Sequence, residues 1–429
     1  MKTACLKHYR WIVTGLVFFI TLVNFIDRSA ISFVIGPLKQ EFGFTDTQFG
    51  MILSAFGVGY VLLTAFGGWL VDVFGTRSVW AIAAISWSLC VGLLGLAGGF
   101  WGFIWIRFLL GITEGPHFPA VTRTVGNWLP PAERARALSF GLVAIPLSAV
   151  VGAPLTSYLV IDFGWRAMFM IISSIGIAWA VLWFILFRDK PADCKFVGEE
   201  EQKFLADACK ADREVKTDHI DWKFILTHPT LIANNFSYFA FGYMLFFATL
   251  WLPGYFLSQH NLNLKSVGWY LTIPWLVAAA FMKVGGFLSD WLYKKTGNVR
   301  ISRSHVIWGS QLLAAIFFIL LGFTSTLGMS IFCLSLALGF GFMPQPAFFS
   351  INIDVAKDRA GSAQGITSAC LSLAGILAPV LTGWLLDLTS SYKGPFLLLG
   401  GLTFLAVIVV ILFHHPDRDY SKVKIALRS

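Results

Sequence analysis

Twelve stretches of about 20 mainly apolar residues, separated by short polar turns, leave this chain few ways to fold. They lie near 11–35, 49–71, 79–98, 101–125, 135–160, 166–187, 229–257, 267–291, 304–325, 327–350, 361–387 and 394–413. Each is long enough to cross the hydrocarbon core of a bilayer. No water is available there to bond a backbone, so each segment must satisfy its own N–H and C=O groups, which a helix does. Charge content supports this reading. Only 13% of the 429 residues are charged, against about 25% in soluble proteins, and the mean hydropathy is +0.72. So little charge cannot clothe a water-facing surface of this size. The rest must face lipid.

The expectation is an all-α membrane protein with twelve transmembrane helices in two six-helix halves. The first half covers 1–187, a loop covers 188–228, and the second half with a short tail covers 229–429. The first apolar run is too long for a cleaved signal and lacks a small-residue cleavage site, so it reads as a retained span. The loop is charged and too short for a domain of its own. It reads as a tether between halves, with a helix predicted over Glu199–Lys210. Outside that loop, Lys and Arg number seventeen on the side holding both termini and four on the other. By the positive-inside rule the termini and the central loop are cytoplasmic. The same rule accounts for the net charge of +9 without invoking nucleic acid. The six cysteines (Cys5, Cys90, Cys194, Cys209, Cys333 and Cys370) show neither disulfide nor metal-ligand spacing.

The halves repeat each other. Ala132-Glu-Arg-Ala-Arg-Ala137 precedes the fifth helix, and Lys357-Asp-Arg-Ala-Gly-Ser362 precedes the eleventh. A constant offset of 225 then matches Pro154 to Pro379 and Asp162 to Asp387. Gly68-x-x-x-Asp72 is echoed by Gly286-x-x-x-Asp290. Duplicated parallel halves are a transporter architecture, with the solute site between them near mid-membrane.

Gly68-Trp-Leu-Val-Asp72-Val-Phe-Gly75-Thr-Arg77 resembles the loop signature of the major facilitator superfamily, departing at Val73, where that family usually has Arg. The resemblance makes Gly68, Asp72, Gly75, Arg77 and the echoed Asp290 candidates for a conformational latch. Asn24-Phe-Ile-Asp27-Arg28-Ser-Ala-Ile-Ser32 is similar to the anion:cation symporter family within it. So are Arg107-Phe-Leu-Leu-Gly111-Ile-Thr-Glu114-Gly-Pro-His117-Phe-Pro119 and the continuation Trp128-Leu-Pro-Pro-Ala-Glu-Arg134. The resemblance spans the twelve-helix pattern, with its specific motifs concentrated in the first half. It implies the major facilitator fold, a bacterial inner (plasma) membrane location, a monomer, and movement of organic anions such as sugar acids coupled to protons. It assigns proton-linked carboxyls to Asp27 and Glu114 and an anion contact to Arg28. It makes Arg107 a partner of Glu114 and places Tyr60 at a substrate contact.

The same residues stand out physically. Charges inside a membrane helix are costly and functional by default, and those away from helix ends are Asp27, Arg28, Arg107, Glu114 and Lys283. At 1.5 Å per residue, Asp27 and Arg107 lie roughly 12 and 9 Å below the outer surface, with Glu114 and Tyr60 deeper. Arg107, Gly111 and Glu114 share a helix face, and His117 lies on a neighbouring part of it. With both acids ionised the two Arg are neutralised; protonating one acid frees positive charge for a carboxylate, which a guanidinium grips through two hydrogen bonds. The competing reading is a set of packing ion pairs, with His117 bonded to a carbonyl freed by proline.

The second half offers fewer charges. Lys283 reads mainly as a snorkelling residue, with an inner anion contact as its alternative. Met343-Pro-Gln-Pro346 predicts a broken tenth helix, a break of the kind that borders transporter sites. Gln345, Phe349, Ser350 and Asn352, with Ser368 and Ser372, are candidate polyol contacts, although a membrane serine often bonds its own backbone. No phosphate-cradling loop, metal cluster or nucleophile–base pair occurs in the sequence, so neither an enzyme, a cofactor nor a metal is expected. The reading is a proton-coupled symporter of a small organic anion. The alternatives are an exporter or antiporter, of whose signature Gly152-Ala-Pro154 is a fragment, and a transporter-like sensor.

Overall fold

The computed structural model describes residues 8–210, 222–356 and 360–416. Cys5 and Lys357–Arg359 of the repeated motif lie outside them. All regular structure among the described residues is helical. In chain order the helices are α1 Tyr9–Ala30, α2 Ile35–Phe42, α3 Asp46–Phe74, α4 Thr76–Leu94, α5 Phe100–Glu114, α6 His117–Trp128, α7 Pro131–Leu186, α8 Glu199–Lys210 and α9 Trp222–Thr227. They continue as α10 Pro229–Gln259, α11 Leu264–Thr296, α12 His305–Leu321, α13 Leu327–Phe342, α14 Gln345–Ala356, α15 Ala360–Thr389 and α16 Lys393–Phe413.

Among the described residues, ten helical segments are long and apolar enough to cross a membrane. One of these, within α7, is really two helices that meet at Gly164, whose φ of 80° suits glycine. The fourth crossing is cut into α5 and α6 at Gly115–Pro116. Counting both cases gives the twelve spans expected. The tenth crossing breaks at Met343–Pro344, between α13 and α14, as its prolines predict. The break between α5 and α6, at the corresponding place in the first half, went unforeseen although Pro116 stands there.

Contacts divide the chain into two compact units, Met1–Phe44 with Met51–Lys216, and Thr45–Gly50 with Thr217–Ser429. In the first unit, α3 and α5 approach backbone to backbone. A Cβ on Gly59 would sit 2.1 Å from the Phe108 carbonyl oxygen, and one on Gly111 would sit 2.1 Å from that of Phe56. Gly67 lies against Pro116 at the helix break. Between membrane helices only packing and hydrogen bonds hold the pair, so small residues at the crossing set how close they come. The second unit repeats the device: a Cβ on Gly285 of α11 would meet the Met343 carbonyl oxygen at the break of the tenth crossing.

The stretch after α7 is more than a tether. Helix α8 forms over the predicted residues because Glu199, Glu200 and Glu201 fill its first turn, where the helix dipole favours acids. It then docks on the first unit. The buried Glu201 carboxylate accepts hydrogen bonds from the Tyr9 and Arg10 backbone N–H groups and from the Arg10 guanidinium. Arg10 also reaches Glu133 at the start of α7, 2.9 Å away. Glu201 therefore caps α1, using its charge where orphan N–H groups are exposed. Phe196 stacks on Tyr9, and Phe204 lies under the Arg10 guanidinium.

A Leu at Gly111 must push α5 off α3. Gly111→Leu is expected to destabilise the protein by about 3 kcal/mol or more, read as a lowered melting temperature and lost monodispersity in detergent, while Leu at Gly15, which is exposed and has no atom within 4 Å of its Cβ position, is tolerated.

Candidate anion site in the first unit

The charged residues singled out in the first half converge inside the first unit. Asp27, Arg28, Arg107, Glu114 and His117 are all buried. Asn24, Asp27 and Arg28 occupy positions i, i+3 and i+4 of α1, one face of a helix. Arg107, Gly111 and Glu114 line α5, and His117 opens α6.

One pairing differs from expectation. Glu114 is held by Arg28, whose Nε donates to Oε2 at 2.6 Å, and no hydrogen bond or ion pair joins it to Arg107. Seven residues separate Arg107 from Glu114, a rise of about 10 Å along the helix. A side chain from the facing α1 spans the gap more easily. Arg107 therefore has no carboxylate partner, and its Nε and one terminal nitrogen are buried without a hydrogen bond. What lies against it is Phe56 of α3, with the ring centroid 5.0 Å from the guanidinium carbon. The same ring is 5.0 Å from the Arg28 guanidinium carbon, which also faces Phe25 at 4.7 Å and Tyr60 at 4.8 Å. Cation–π contact is worth about 2 kcal/mol when desolvated, which offsets only part of the cost of burying such charges.

Asp27 does not pair with Arg28. Both its oxygens are buried without a hydrogen-bond partner, since side chains of adjacent helical residues point about 100° apart. Its charged neighbours are Glu114 and Arg28, and the Trp87 indole faces it. Glu114 Oε1 and both amide atoms of Asn24 are likewise unpartnered. The site thus carries two carboxylates and two guanidinium groups with one ion pair among them. Its remaining buried donors and acceptors are only partly paired within the protein. Tyr60 is half-buried beside Arg28. His117 sits edge-on to Trp80, Trp87 and Phe118, and neither ring nitrogen has a partner, so no proline-freed carbonyl holds it.

Asn24, Phe25, Phe56 and Trp87 were not singled out from sequence. Asn24 and Phe56 each stand four residues before a residue that was, Arg28 and Tyr60, and that spacing was the available signal.

In the second unit the candidate contacts are largely satisfied within the protein. The Asn352 amide nitrogen donates to Gln364 and Thr367, while its oxygen accepts from Asn234. Gln345 donates to the Tyr238 hydroxyl at 3.4 Å, and Phe349 packs edge-on to the same ring. Ser350 and Ser372 bond the backbone carbonyls of Pro346 and Ser368 one turn earlier. Lys283 is exposed.

The two signature loops make ion pairs within their own units. Asp72 lies 3.6 Å from Arg123. Next to that loop, the start of α4 is met by Asp189, which accepts from the Arg77 N–H, and Gly75 adopts a φ of 81° against the same carboxylate. The Arg77 guanidinium donates to the Phe184 carbonyl. Asp290 pairs with Arg303 at 3.0 Å, and Arg303 also reaches Asp354 near the end of α14, an acid the sequence reading passed over.

A profile of the Major Facilitator Superfamily matches residues 17–378 and 298–429. The chain belongs to that superfamily. A hexuronate transporter of Bacillus subtilis is 32% identical over 399 residues, covering 92% of each chain. An Escherichia coli protein named "Probable L-galactonate transporter" is 27% identical, over 95% of this chain and 90% of its own. The fold matches a bacterial homologue of the human lysosomal transporter Spinster, crystallised inward-facing and occupied, with a TM-score of 0.78 and 19% identity over 97% and 98% of the two chains. Superfamily and relatives are transporters, so this member is an integral membrane transporter and not an enzyme.

Removing one partner of a buried pair strands the other charge. Glu114→Gln is expected to cost about 3 kcal/mol, seen as a lowered melting temperature, and adding Arg28→Gln should recover part of it.

Proposed function

We propose that this superfamily member imports a small organic anion, a sugar acid, together with protons, by alternating access in the bacterial inner (plasma) membrane, working as a monomer. Both termini and the 188–228 loop face the cytoplasm in this reading, in keeping with the bias of Lys and Arg. The observation that carries it is the buried Arg107 guanidinium without a carboxylate, beside an Arg28 already held by Glu114. The names of the hexuronate and L-galactonate relatives favour a sugar acid as the cargo.

The chemistry follows from competition for Arg28. While Glu114 is ionised it occupies that guanidinium, leaving Arg107 alone to attract a carboxylate. A proton on Glu114 removes its charge, and Arg28 is then free to fork onto the bound anion with two hydrogen bonds. A proton on Asp27 lowers the negative charge near the same place. On the inner side, deprotonated Glu114 reclaims Arg28 and the anion loses its second grip. Proton and anion thus bind together and leave together. Tyr60, packed on Arg28, bounds the cargo. Gln345, Ser350, Asn352, Ser368 and Ser372 supply contacts to cargo hydroxyls after local rearrangement, since most now bond within the protein, and Phe349 supplies an apolar face. Asp72 with Arg123, Gly68, Gly75, Arg77 and Asp290 with Arg303 fasten the loops that move.

Uptake of radiolabelled D-glucuronate into proteoliposomes should rise when the lumen is made alkaline and collapse with a protonophore. Arg107→Ala should lower it about 10²-fold, the equivalent of 2–3 kcal/mol for a lost charge-assisted contact. Asp27→Asn and Glu114→Gln should each abolish the response to the pH gradient. Gradient-driven uptake that survives both changes rules out their coupling roles.

A further inference from the structure

Beside the charged site, the first unit contains a second run of polar atoms that no anion needs. On α4, the Trp87 and Trp80 indole N–H groups and the Thr76 hydroxyl are buried without a hydrogen-bond partner. Their spacings of four and seven residues place them along one side of that helix. On α6, both His117 nitrogens and the Thr124 hydroxyl are in the same condition, seven residues or two turns apart. The Trp183 indole of α7 joins them. The rings form a continuous path, with centroids 5.9 Å apart from Trp87 to His117, 5.5 Å from His117 to Trp80 and 4.8 Å from Trp80 to Trp183. One end begins at Asp27, a neighbour of Trp87. The other ends at Thr76, next to Gly75 and Arg77, where the Asp189 carboxylate receives the Arg77 N–H.

A buried polar atom without a protein partner costs about 1–3 kcal/mol, and such atoms are generally found bonded to internal water. Seven of them on six residues, inside one bundle, are more than chance packing leaves behind. We infer that Trp87, His117, Trp80, Thr124, Thr76 and Trp183 line a file of bound water that carries the proton between Asp27 and the Asp189 end of the first unit, apart from the path of the anion. The inference rests on the proton-coupled reading above and names the proton's route within it. Neutral imidazole suits such a file: a proton arriving on one ring nitrogen is matched by release of the proton on the other, so no net charge stays in the bundle. The charged groups facing the file are Asp27, Glu114 and Arg28 at one end and Asp189, Arg77 and Arg188 at the other. The carboxylates Asp27 and Asp189 are its terminal acceptors.

The route separates two readouts. Gradient-driven uptake of D-glucuronate needs the proton to leave in every cycle, whereas exchange of labelled for unlabelled D-glucuronate at equal pH does not. Thr76→Val/Thr124→Val keeps side-chain volume and removes both hydroxyls. It should slow gradient-driven uptake about tenfold or more while exchange stays within about twofold of wild type. Equal loss of both rates, or loss of neither, overturns the route. A wild type that ignores the pH gradient overturns the coupling reading instead, and the route is then judged without cargo. In purified protein in D₂O, the indole N–H signal assigned by difference from Trp80→Phe should exchange within minutes by ultraviolet resonance Raman. Protection for hours shows a dry aromatic core and sinks the water file.

Discussion

Arg28 and Glu114 meet at 2.6 Å in a place almost without solvent, and much of the molecule is arranged around keeping them there. A charge pair in low dielectric is strong only while intact; losing one member leaves an ion whose hydration cannot be replaced. In the proposed cycle, that asymmetry turns a structural contact into a switch. Any third ionised group that can bond Arg28 competes with Glu114, and the outcome depends on whether Glu114 carries its proton. Phe25, Phe56 and Tyr60 form the walls that keep water from settling the competition.

The bundle around the pair is built for close approach. Gly59, Gly111, Gly67 and Pro116 let α3 and α5 touch through their backbones, which brings Phe56 and Tyr60 to the guanidinium groups. The break at Gly115–Pro116 ends α5 at Glu114 and begins α6 at His117, so one crossing delivers acid and imidazole to different surroundings. Helix α1 is fixed from its other end by Glu201 and Arg10.

Much of this was legible in the sequence, for identifiable reasons. Spans follow from length and apolarity alone, and the tenth-helix break follows from two prolines. The buried charges announced themselves because nothing bland explains Asp27 or Arg107 in an apolar run. Partner choice was not legible. Arg107 shares a helix and a face with Glu114, and only the packing of α1 against its neighbours shows that Arg28 arrives first. Asn352 looked free for cargo because its partner Asn234 lies 118 positions away in sequence, and Thr367, 15 away, sits on the next helix. Docking of Glu201 onto Tyr9, 192 residues away, has no local signature either.

Phe56 has a consequence for size. Its ring centre stands 5.0 Å from each of two guanidinium carbons, so those cations can be no more than about 10 Å apart, twice that distance. One aromatic ring acts as a spacer between two anchor points. A molecule that bridges both is limited to about one sugar in length, and any portion of a longer chain falls outside the grasp of either cation.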